Sequence, residues 1–421
     1  MTTDFIRAAS CADDYDPNSM PVDKARQHIR DYLTPVHTRE CLPLRSALGR
    51  VLAADILSPC NVPNHDNSAM DGYAFNADDL LPGTTSLHIA GTAFAGKAFD
   101  GTVARGECVR IMTGAVMPQG CDTVVIQEQV QAEGGSITFG DGVKRGQNLR
   151  YAGEDLKLGQ VVLPAGHLVR PADLGLIASL GLGEVLVYRR LRVAFFSTGD
   201  ELASIGQELA AGQVYDSNRY TLYGMLARLG VEILDMGVVR DDPALLRNAL
   251  LEASASADVI LTSGGVSVGE ADYMKQLLNE LGQVVFWKIA MKPGRPLAYG
   301  KIGSAHYFGL PGNPVSVMVT FYQFVRDAML ALMGQPDPAP VPQLPAICTG
   351  AIKKAPGRTE FQRGMLYRNA DGDWSVEPIG NQGSGVLRSM SEANCFIVLP
   401  ESCGNVAAGE TVQVQVLEGL V

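Results

Sequence analysis

Residues Asp258–Lys275 read DVILTSGGVSVGEADYMK, and this stretch decides the fold. Its first part, Asp258–Thr262, has the β-branched composition of a buried strand and is followed by Ser263-Gly264-Gly265. From about Ala271 the apolar side chains recur on one helical face, at Met274, Leu277, Leu278 and Leu281. The stretch therefore predicts a strand, a glycine turn and a helix, a junction whose backbone N–H groups suit an anion.

The glycine turn has two possible roles when it is considered alone. It matches neither of the common phosphate-loop patterns, G-x-G-x-x-G and G-x-x-x-x-G-K-[ST]. The neighbouring Glu270 and Asp272 either hold a metal ion or cap the following helix. Capping is the commoner role of such acids. The rest of the chain has to decide between capping and metal binding.

Composition and charge limit the class of protein. The chain has 421 residues, of which 46% are hydrophobic and 19% charged, as expected for a soluble globular protein of several domains. The apolar runs are shorter than a membrane span and the acidic N-terminus is unlike a signal peptide, which predicts a cytoplasmic protein with no membrane partner. A net charge of −11 predicts no nucleic-acid partner. The eight cysteines lack metal-binding spacing and are expected to be free thiols.

The pattern of apolar residues, glycines and prolines divides the chain into six segments. They are a flexible acidic tail over 1–18, an interrupted N-terminal helical domain over 19–60 and 150–182, a β-rich insert over 61–149, an α/β domain over 183–334, a proline-rich linker over 335–345 and a C-terminal β module over 346–421. Within the first domain, helices are predicted from Pro21 and over about 43–52. The stretch Pro63–Phe75, PNHDNSAMDGYAF, is predicted to be a loop that either makes a tight turn or presents acids to a ligand.

The α/β domain is predicted from alternating strands and helices. Strand-like runs at Val193–Phe196, Val231–Met236, Val259–Thr262 and Val284–Ile289 alternate with helical stretches at about 218–229, 243–254, 271–281 and 314–333. This alternation favours a mostly parallel sheet with helices on both faces, whose ligands bind beyond the carboxyl ends of the strands. The residues that follow the strands are therefore expected on one edge: Ser197–Glu201, Asp241, Gly264, Gly265, Ser267, Lys288, Lys292, Arg295 and Pro311–Asn313.

The residue types at this edge suggest metal-assisted chemistry on an anion. The acids Glu201, Asp241 and Asp272 could share a hard cation such as Mg²⁺, which prefers oxygen ligands. Lys292 and Arg295 flank a Pro-Gly pair and could both face one tetrahedral oxyanion. Helix capping for the acids and a solvated turn for the two cations remain the alternatives. No Ser-His-Asp or Cys-His arrangement suggests itself, which disfavours covalent catalysis.

Six motifs together resemble the molybdopterin molybdenumtransferases, the MoeA family, which includes the E-domain of gephyrin and its plant counterpart. They are DNSAMDGYA (66–74), GED (153–155), STGDEL (197–202), TSGGVSVGEADY (262–273), KPGRP (292–296) and LPGNPVS (310–316). The similarity covers about residues 20–421. It implies a multidomain α/β plus β fold with a MogA-like α/β domain, an interrupted N-terminal domain, a β insert and a C-terminal β-barrel domain, assembled as a homodimer.

The resemblance implies that adenylylated molybdopterin and molybdate are converted to molybdenum cofactor and AMP with the help of Mg²⁺. Carried over by motif, the catalytic acids would be Asp71, Asp155, Glu201, Asp241 and Asp272, the last three binding the metal. The substrate-binding residues would be Thr198, Gly264, Gly265, Ser267, Lys288, Lys292, Arg295, Pro311, Asn313, Arg363 and Ser384. Many relatives have lysine in place of Arg295, so a forked donor replaces a point charge here.

The implied partners are a molybdopterin adenylyltransferase and the molybdoenzymes that receive the cofactor. Because Asp71 lies outside the α/β domain, the resemblance leaves room for it to serve the partner subunit's site. Three other functions remain open: adenylylation of molybdopterin, a molybdopterin-binding scaffold or carrier, and a general α/β hydrolase of sugar phosphates or nucleotides.

Overall fold

The computed structural model describes residues 19–265, 271–335, 338 and 341–417, without the side chains of Ala271, Asp272 and Phe286. Its internal contacts separate two compact units, and each is described by itself. The first unit contains residues 19–40, 49–51 and the described residues from 187 onward, whereas the second contains residues 41–48 and 52–186.

The first unit is built on a six-stranded sheet, here called the α/β sheet. Its strands are, in spatial order, Glu232–Val239, Arg192–Thr198, Val259–Ser263, Ala305–Leu310, Pro296–Ile302 and Gly282–Lys288. The first four are parallel, and Pro296–Ile302 is antiparallel to both of its neighbours. Five strands therefore point the same way and end at one edge, which agrees with the mostly parallel sheet predicted from the sequence. The strand Pro296–Ile302 was not anticipated.

Helices cover both faces of the α/β sheet. One core combines Phe195 and Leu261 with the apolar face of the first helix, and the other combines Phe196 and Ile260 with Leu278. Consecutive strand residues thus point to opposite faces, as the pleat requires. The helical elements of this unit are Val22–Tyr32, Ser217–Leu229, Pro243–Ser256, Ala271–Leu281, Pro314–Thr320, the π-helical turn Phe321–Val325, Arg326–Leu332 and Arg388–Glu392, and a small strand pair joins Leu202–Ala203 to Val214–Tyr215.

A closed β-barrel forms the C-terminal part of the first unit. Going round the barrel, its five strands are Thr359–Arg368, Trp374–Pro378, Gln343–Cys348, Thr411–Val416 and Cys395–Leu399, and the last pairs again with the first. This closure confirms the barrel that the resemblance implied. A short strand, Met291–Lys292, adds alongside Thr359–Arg368 and places Lys292 opposite Glu360.

The second unit contains a six-stranded sheet within the predicted β insert. Its strands are, in spatial order, Thr123–Ile126, Gly72–Phe75, Glu107–Ile111, Thr84–Ala93, Ser136–Gly140 and Gln131–Glu133. Two further pairs join Asn67–Ser68 to Leu149–Arg150 and Ile56–Leu57 to Val161–Leu163. The helical elements are Pro171–Ser179 and the 3₁₀ turns Leu44–Ala47, Ala77–Asp79 and Gln127–Gln129, and two more strands, Arg39–Pro43 and Glu184–Tyr188, complete the described elements of the chain.

Two local predictions were wrong. The helix expected over 43–52 is a single 3₁₀ turn, Leu44–Ala47. The stretch Pro63–Phe75 is only partly a loop, because Gly72–Phe75 is a fully buried strand. Gly72 allows this pairing: a Cβ atom there would lie 2.0 Å from the carbonyl oxygen of Val125.

One helical segment has the length and composition of a membrane span. It covers residues 314–332, and 78% of its most apolar 18-residue stretch is buried inside the protein. Such burial is typical of the core helix of a globular domain. The thiol prediction holds in the described part of the chain, where seven cysteines are free, and Cys11 lies outside it.

His306 is expected to make the stability of the α/β domain depend on pH. Its ring is buried beside Tyr299, and burial, with a smaller effect of Lys301, lowers the pKa of His306 to about 4. Between an unfolded-state pKa of about 6.5 and this value the unfolded chain binds the proton and the folded chain does not. The free energy of unfolding should therefore fall as the pH falls from 6.5 to 4, by up to about 3 kcal/mol.

Urea unfolding at several pH values measures this effect against His306→Gln, which cannot titrate. The variant should show a flatter dependence between pH 6.5 and 4 than the wild type. His88 is exposed in the second unit and supplies the matched control, His88→Gln, whose profile should follow that of the wild type. Equal slopes for the wild type and His306→Gln would contradict the assignment.

Candidate functional site

The glycine turn after Val259–Ser263 packs directly on the end of the neighbouring strand. Gly264 and Gly265 both have positive φ angles, of 96° and 67°. A Cβ atom on Gly264 would lie 2.5 Å from the carbonyl oxygen of Thr198, and one on Gly265 would lie 3.1 Å from its hydroxyl oxygen. The Thr198 side chain is buried, and its hydroxyl has no hydrogen-bond partner among the described residues. Thr198, Gly264 and Gly265 are therefore brought together at the carboxyl edge of the sheet.

Two residues that the sequence analysis missed hold this edge in place. Asn218 donates from its amide nitrogen to the Ser263 hydroxyl at 2.8 Å and to the Gly312 carbonyl at 2.7 Å. Asp216 caps the same helix and accepts a hydrogen bond of 3.0 Å from the Ser197 hydroxyl. The sequence Asp216-Ser217-Asn218 before a helical run is an N-cap signal that could have located these residues, but not their contacts with the sheet.

The predicted metal-binding acids are only partly described. Glu201 is exposed, and its carboxylate folds back over Gly199, where a Cβ atom would lie 2.5 Å from Oε2. Asp241 lies beside the loop that carries Glu201, since its N–H donates to a carboxylate oxygen of Asp200 at 3.4 Å. Asp242, not Asp241, caps the next helix, so the capping alternative does not account for Asp241.

The third acid of the predicted metal set cannot be placed. The side chain of Asp272 lies outside the described residues, as do Ser267 and Glu270 entirely. Among the residues that are described, no group of three His, Cys, Asp or Glu side chains converges as a metal site would. The oxygen donors Glu201 and Asp241 suit Mg²⁺ chemically, so a three-acid site stays a prediction.

The loop Pro311–Asn313 connects the sheet edge to the barrel. Its Gly312 carbonyl accepts the Asn218 hydrogen bond, and Gly264 donates from its N–H to the Leu310 carbonyl at 3.1 Å. On the other side, the N–H of Val315 donates to the Ser384 carbonyl at 3.1 Å. Pro311 is buried and Asn313 is exposed at the start of the helix. Pro311 and Asn313 thus lie in a loop that is hydrogen-bonded to the sheet edge at one end and is followed, at Val315, by a hydrogen bond to Ser384.

Arg363 is a buried cation whose hydrogen-bond acceptors among the described residues are all neutral. Its guanidinium donates to the Ser389 hydroxyl at 3.0 Å and to the carbonyls of Gly383 at 3.0 Å and Asn381 at 3.3 Å. Burial lowers the pKa of Arg363 to about 10, which still leaves it charged at neutral pH. No described carboxylate pairs with it. A buried charge without a counter-ion is costly, which indicates a site built for an anion next to Ser384.

Lys292 supplies a second cation, beside the barrel strand Thr359–Arg368 that carries Arg363. Its ammonium lies 3.8 Å from Oε1 of Glu360, which is buried and also accepts a hydrogen bond of 2.8 Å from the Gln362 amide. The sequence analysis missed Glu360, the one acid in the strand Thr359–Arg368. Arg295 donates to the Ser19 hydroxyl at 3.4 Å. Lys288 ends its strand opposite Pro296, at the same edge.

The two remaining predicted acids lie in the second unit. The carboxylate of Asp71 accepts hydrogen bonds from the N–H of Thr113 at 2.7 Å and from its hydroxyl at 2.8 Å, and these bonds lower the pKa of Asp71. Thr113 was not singled out from the sequence. Asp155 is exposed, and its N–H donates to the Val62 carbonyl at 3.0 Å. The loops that carry these acids meet where Asp66 accepts a hydrogen bond of 2.8 Å from the N–H of Ala152.

The fold and the site define a class of protein: a multidomain α/β protein in which the segment after one strand of the sheet is hydrogen-bonded to the segment that carries Ser384. Comparison with protein families identifies the family within this class. Residues 20–181 match the MoeA N-terminal region, residues 194–331 a probable molybdopterin binding domain, and residues 345–417 the MoeA C-terminal region.

Individual relatives agree with the family models. The chain is 48% identical to the molybdopterin molybdenumtransferase of Haemophilus influenzae over 397 residues, which is 94% of this chain and 98% of the relative. It is 37% identical to molybdopterin molybdenumtransferase 2 of Mycobacterium tuberculosis over 89% of this chain and 94% of that protein. The crystal structure of the molybdopterin biosynthesis MoeA protein from Pyrococcus horikoshii superimposes with a TM-score of 0.82, at 30% identity, over 95% of this chain and all of that one. The chain belongs to the MoeA family.

Proposed function

We propose that this protein is a molybdopterin molybdenumtransferase, which inserts molybdate into adenylylated molybdopterin and releases AMP in molybdenum cofactor biosynthesis. The observation that carries the proposal is Arg363, a buried guanidinium without a carboxylate partner in the described chain, which donates to the carbonyl of Gly383 next to Ser384. Lys292 lies opposite Glu360 of the same strand. Molybdate is a tetrahedral dianion, and it supplies the negative charge that Arg363 lacks among the described residues.

Each part of the site has a role in this reaction. Arg363 orients molybdate through paired N–H donors, while Lys292 adds a point charge and Ser384 a hydroxyl donor. We assign the phosphate end of the substrate to the turn formed by Thr198, Gly264 and Gly265, where the Gly265 N–H and the Thr198 hydroxyl are the donors. The remaining implied ligands, Ser267, Lys288, Arg295, Pro311 and Asn313, are assigned to substrate binding from their motifs.

The carboxylates Glu201, Asp241 and Asp272 would hold Mg²⁺ in this proposal. When bound, the cation neutralises the phosphoanhydride and so assists its hydrolysis. Local contacts position two of these carboxylates. Glu201 is folded over Gly199, and the backbone N–H of Asp241 donates to Asp200. Asp71 and Asp155 are assigned a catalytic role from their motifs, with Asp71 held in its ionised form by Thr113.

We also propose that the protein is a cytoplasmic homodimer. Large apolar side chains are exposed in the segment 205–223, at Ile205, Leu209, Val214, Tyr215, Tyr220 and Tyr223, and a second copy would cover such a surface. Light scattering should give a molar mass of twice one chain, and a monomer at micromolar concentration would count against it. A molybdopterin adenylyltransferase and the recipient molybdoenzymes are the proposed transient partners.

Release of AMP from adenylylated molybdopterin in the presence of Mg²⁺, with and without molybdate, tests the proposal. The wild-type protein should release AMP only when molybdate is present. Asp241→Asn keeps the size of the side chain but removes its charge, so AMP release should fall by about 10²-fold or more. Asp242→Asn is the matched control, because asparagine also caps helices well and stability and activity should change little.

The other functions predict different results. AMP release that ignores molybdate would indicate a hydrolase. Tight binding of the pterin without any release would indicate a carrier or scaffold. Formation of adenylylated molybdopterin from a nucleoside triphosphate and molybdopterin would indicate the adenylyltransferase instead.

A further inference from the structure

A cleft in the C-terminal barrel lies beside Lys292 and has no role in the reaction as described so far. Its volume is about 380 Å³, within the range of small-molecule pockets, about 300–1,000 Å³. It opens where two parallel barrel strands separate, because pairing between them ends at Cys348 and Val376. The chain after Cys348 forms one wall, and residues 377–382 form the other.

Both walls of the cleft are fixed by hydrogen bonds. Ile352 exchanges two backbone hydrogen bonds, of 2.8 and 2.9 Å, with Val406. On the opposite wall, the N–H of Ile379 donates to the Arg363 carbonyl at 3.0 Å, and the Gln382 side chain bonds both the N–H and the carbonyl of Arg363. The cleft is therefore preformed, and a ligand would not have to order its walls.

The charged side chains of the cleft are of both signs. Glu377 and Lys353 are exposed on its walls, and neither has a side-chain partner among the described residues. A carboxylate only accepts hydrogen bonds and an ammonium only donates them. Glu377 would repel a second molybdate or phosphate, so a bare oxyanion does not fit. A planar ring with N–H donors and a carbonyl oxygen does.

The position of the cleft relates it to the proposed molybdate ligands Arg363, Lys292 and Ser384, here called the oxyanion cluster. Lys292 lines the cleft and lies 3.8 Å from Glu360. One wall of the cleft bonds the backbone of Arg363, whose guanidinium is the proposed molybdate ligand. In molybdopterin the two metal-binding sulfurs are joined to the pterin through one fused ring. The pterin must therefore lie close to the molybdate position, and the cleft meets this requirement through Gln382, which bonds the Arg363 backbone.

We propose that the cleft binds the pterin ring of the substrate, an inference that rests on the function proposed above. Glu377 accepts hydrogen bonds from the 2-amino group and the neighbouring ring N–H, and Lys353 donates to the 4-oxo group. Lys292 lies between the ring and the molybdate. Glu377 is thus a residue that determines specificity for a 2-amino-4-oxo ring.

Binding of two fluorescent ring compounds to the full-length protein tests this assignment. Pterin carries the 2-amino group, and lumazine has an oxygen in its place, which a carboxylate would repel. The wild-type protein should bind pterin at least about 10-fold more tightly than lumazine, because lumazine presents an oxygen to the Glu377 carboxylate in place of a hydrogen-bond donor. Glu377→Gln should remove most of this preference. Glu392 is exposed at the end of the short helix Arg388–Glu392. Glu392→Gln is therefore the matched control and should retain the preference.

The outcomes separate this inference from the proposed function. Equal affinity of the wild type for both rings, or an unchanged preference in Glu377→Gln, would overturn the pterin site even if molybdate-dependent AMP release were intact. A preference that depends on Glu377 would support the site even if no AMP were released, in which case the proposed function alone would fail. Molybdate affinity should be the same in Glu377→Gln as in the wild type, and a large loss would show that Glu377 acts on the oxyanion cluster instead.

Discussion

Replacement of Arg363 by methionine is expected to abolish molybdate-dependent AMP release while leaving the protein folded. The variant keeps an unbranched apolar stem but removes the buried charge and its forked donors. Loss of one such donor set in a water-excluded site typically lowers the rate by about 10²–10³-fold. AMP release at saturating substrate, together with the affinity for molybdate, measures the effect.

Stability should respond much less than activity to this change. Methionine leaves the carbonyls of Asn381 and Gly383 without their donor, which costs about 1 kcal/mol each. Removing a buried cation that has no counter-ion offsets this cost. The free energy of unfolding should therefore change by less than about 2 kcal/mol, which urea unfolding can measure.

Two further variants make the test specific. Arg363→Lys keeps a charge without the fork and should retain more activity than Arg363→Met. Arg368→Met is the matched control on the same strand, where the guanidinium lies over the Trp374 ring at 4.4 Å, away from Ser384. It should leave AMP release unchanged. Normal molybdate affinity in Arg363→Met would refute the assigned role.

Gly264→Ala should destabilise the protein and reduce activity together. The residue has a φ angle of 96°, and its new methyl group would lie 2.5 Å from the backbone carbonyl of Thr198, which cannot move without displacing the end of its strand. Backbone strain and overpacking together should lower the free energy of unfolding by about 3 kcal/mol. Because the turn would shift away from Thr198, AMP release should also fall in the fraction that remains folded.

Gly224→Ala is the control for this change. Gly224 lies within the helix Ser217–Leu229, has no positive φ angle, and a Cβ atom there would meet nothing within 4 Å. Alanine in a helix interior is better than glycine by about 1 kcal/mol, so this variant should be slightly more stable than the wild type. If both alanine variants had the same stability, the close packing of Gly264 would not be a structural requirement.

Local sequence pattern was sufficient to predict most elements of the α/β domain. The helix predicted from Pro21 is present as Val22–Tyr32, and the helices predicted at 218–229, 243–254 and 271–281 are present within two residues at each end. The apolar spacing that defines a helix or a strand is a property of neighbouring residues, so it can be read without the fold. For the same reason the glycine turn at 264–265 and the Pro-Gly turn at 293–294 were located correctly.

Contacts between distant residues were beyond the reach of the sequence pattern. Pro63–Phe75 has the composition of a loop, but its last part, Gly72–Phe75, is a buried strand because Thr123–Ile126 and Glu107–Ile111 pair with it on both sides. The strand Pro296–Ile302 likewise depends on two partners, Gly282–Lys288 and Ala305–Leu310. In both cases pairing across the sheet overrides local composition.

By itself the sequence determined the strand ends, the acids and cations that follow them, and the family to which they belong. Only the tertiary structure decided which of these residues meet. It joined Asn218 to both Ser263 and Gly312, paired Lys292 with Glu360, and buried Arg363 without a carboxylate partner in the described chain. Burial and charge pairing depend on chain segments far apart in sequence, and these quantities, not residue type, make a cation into an anion-binding site.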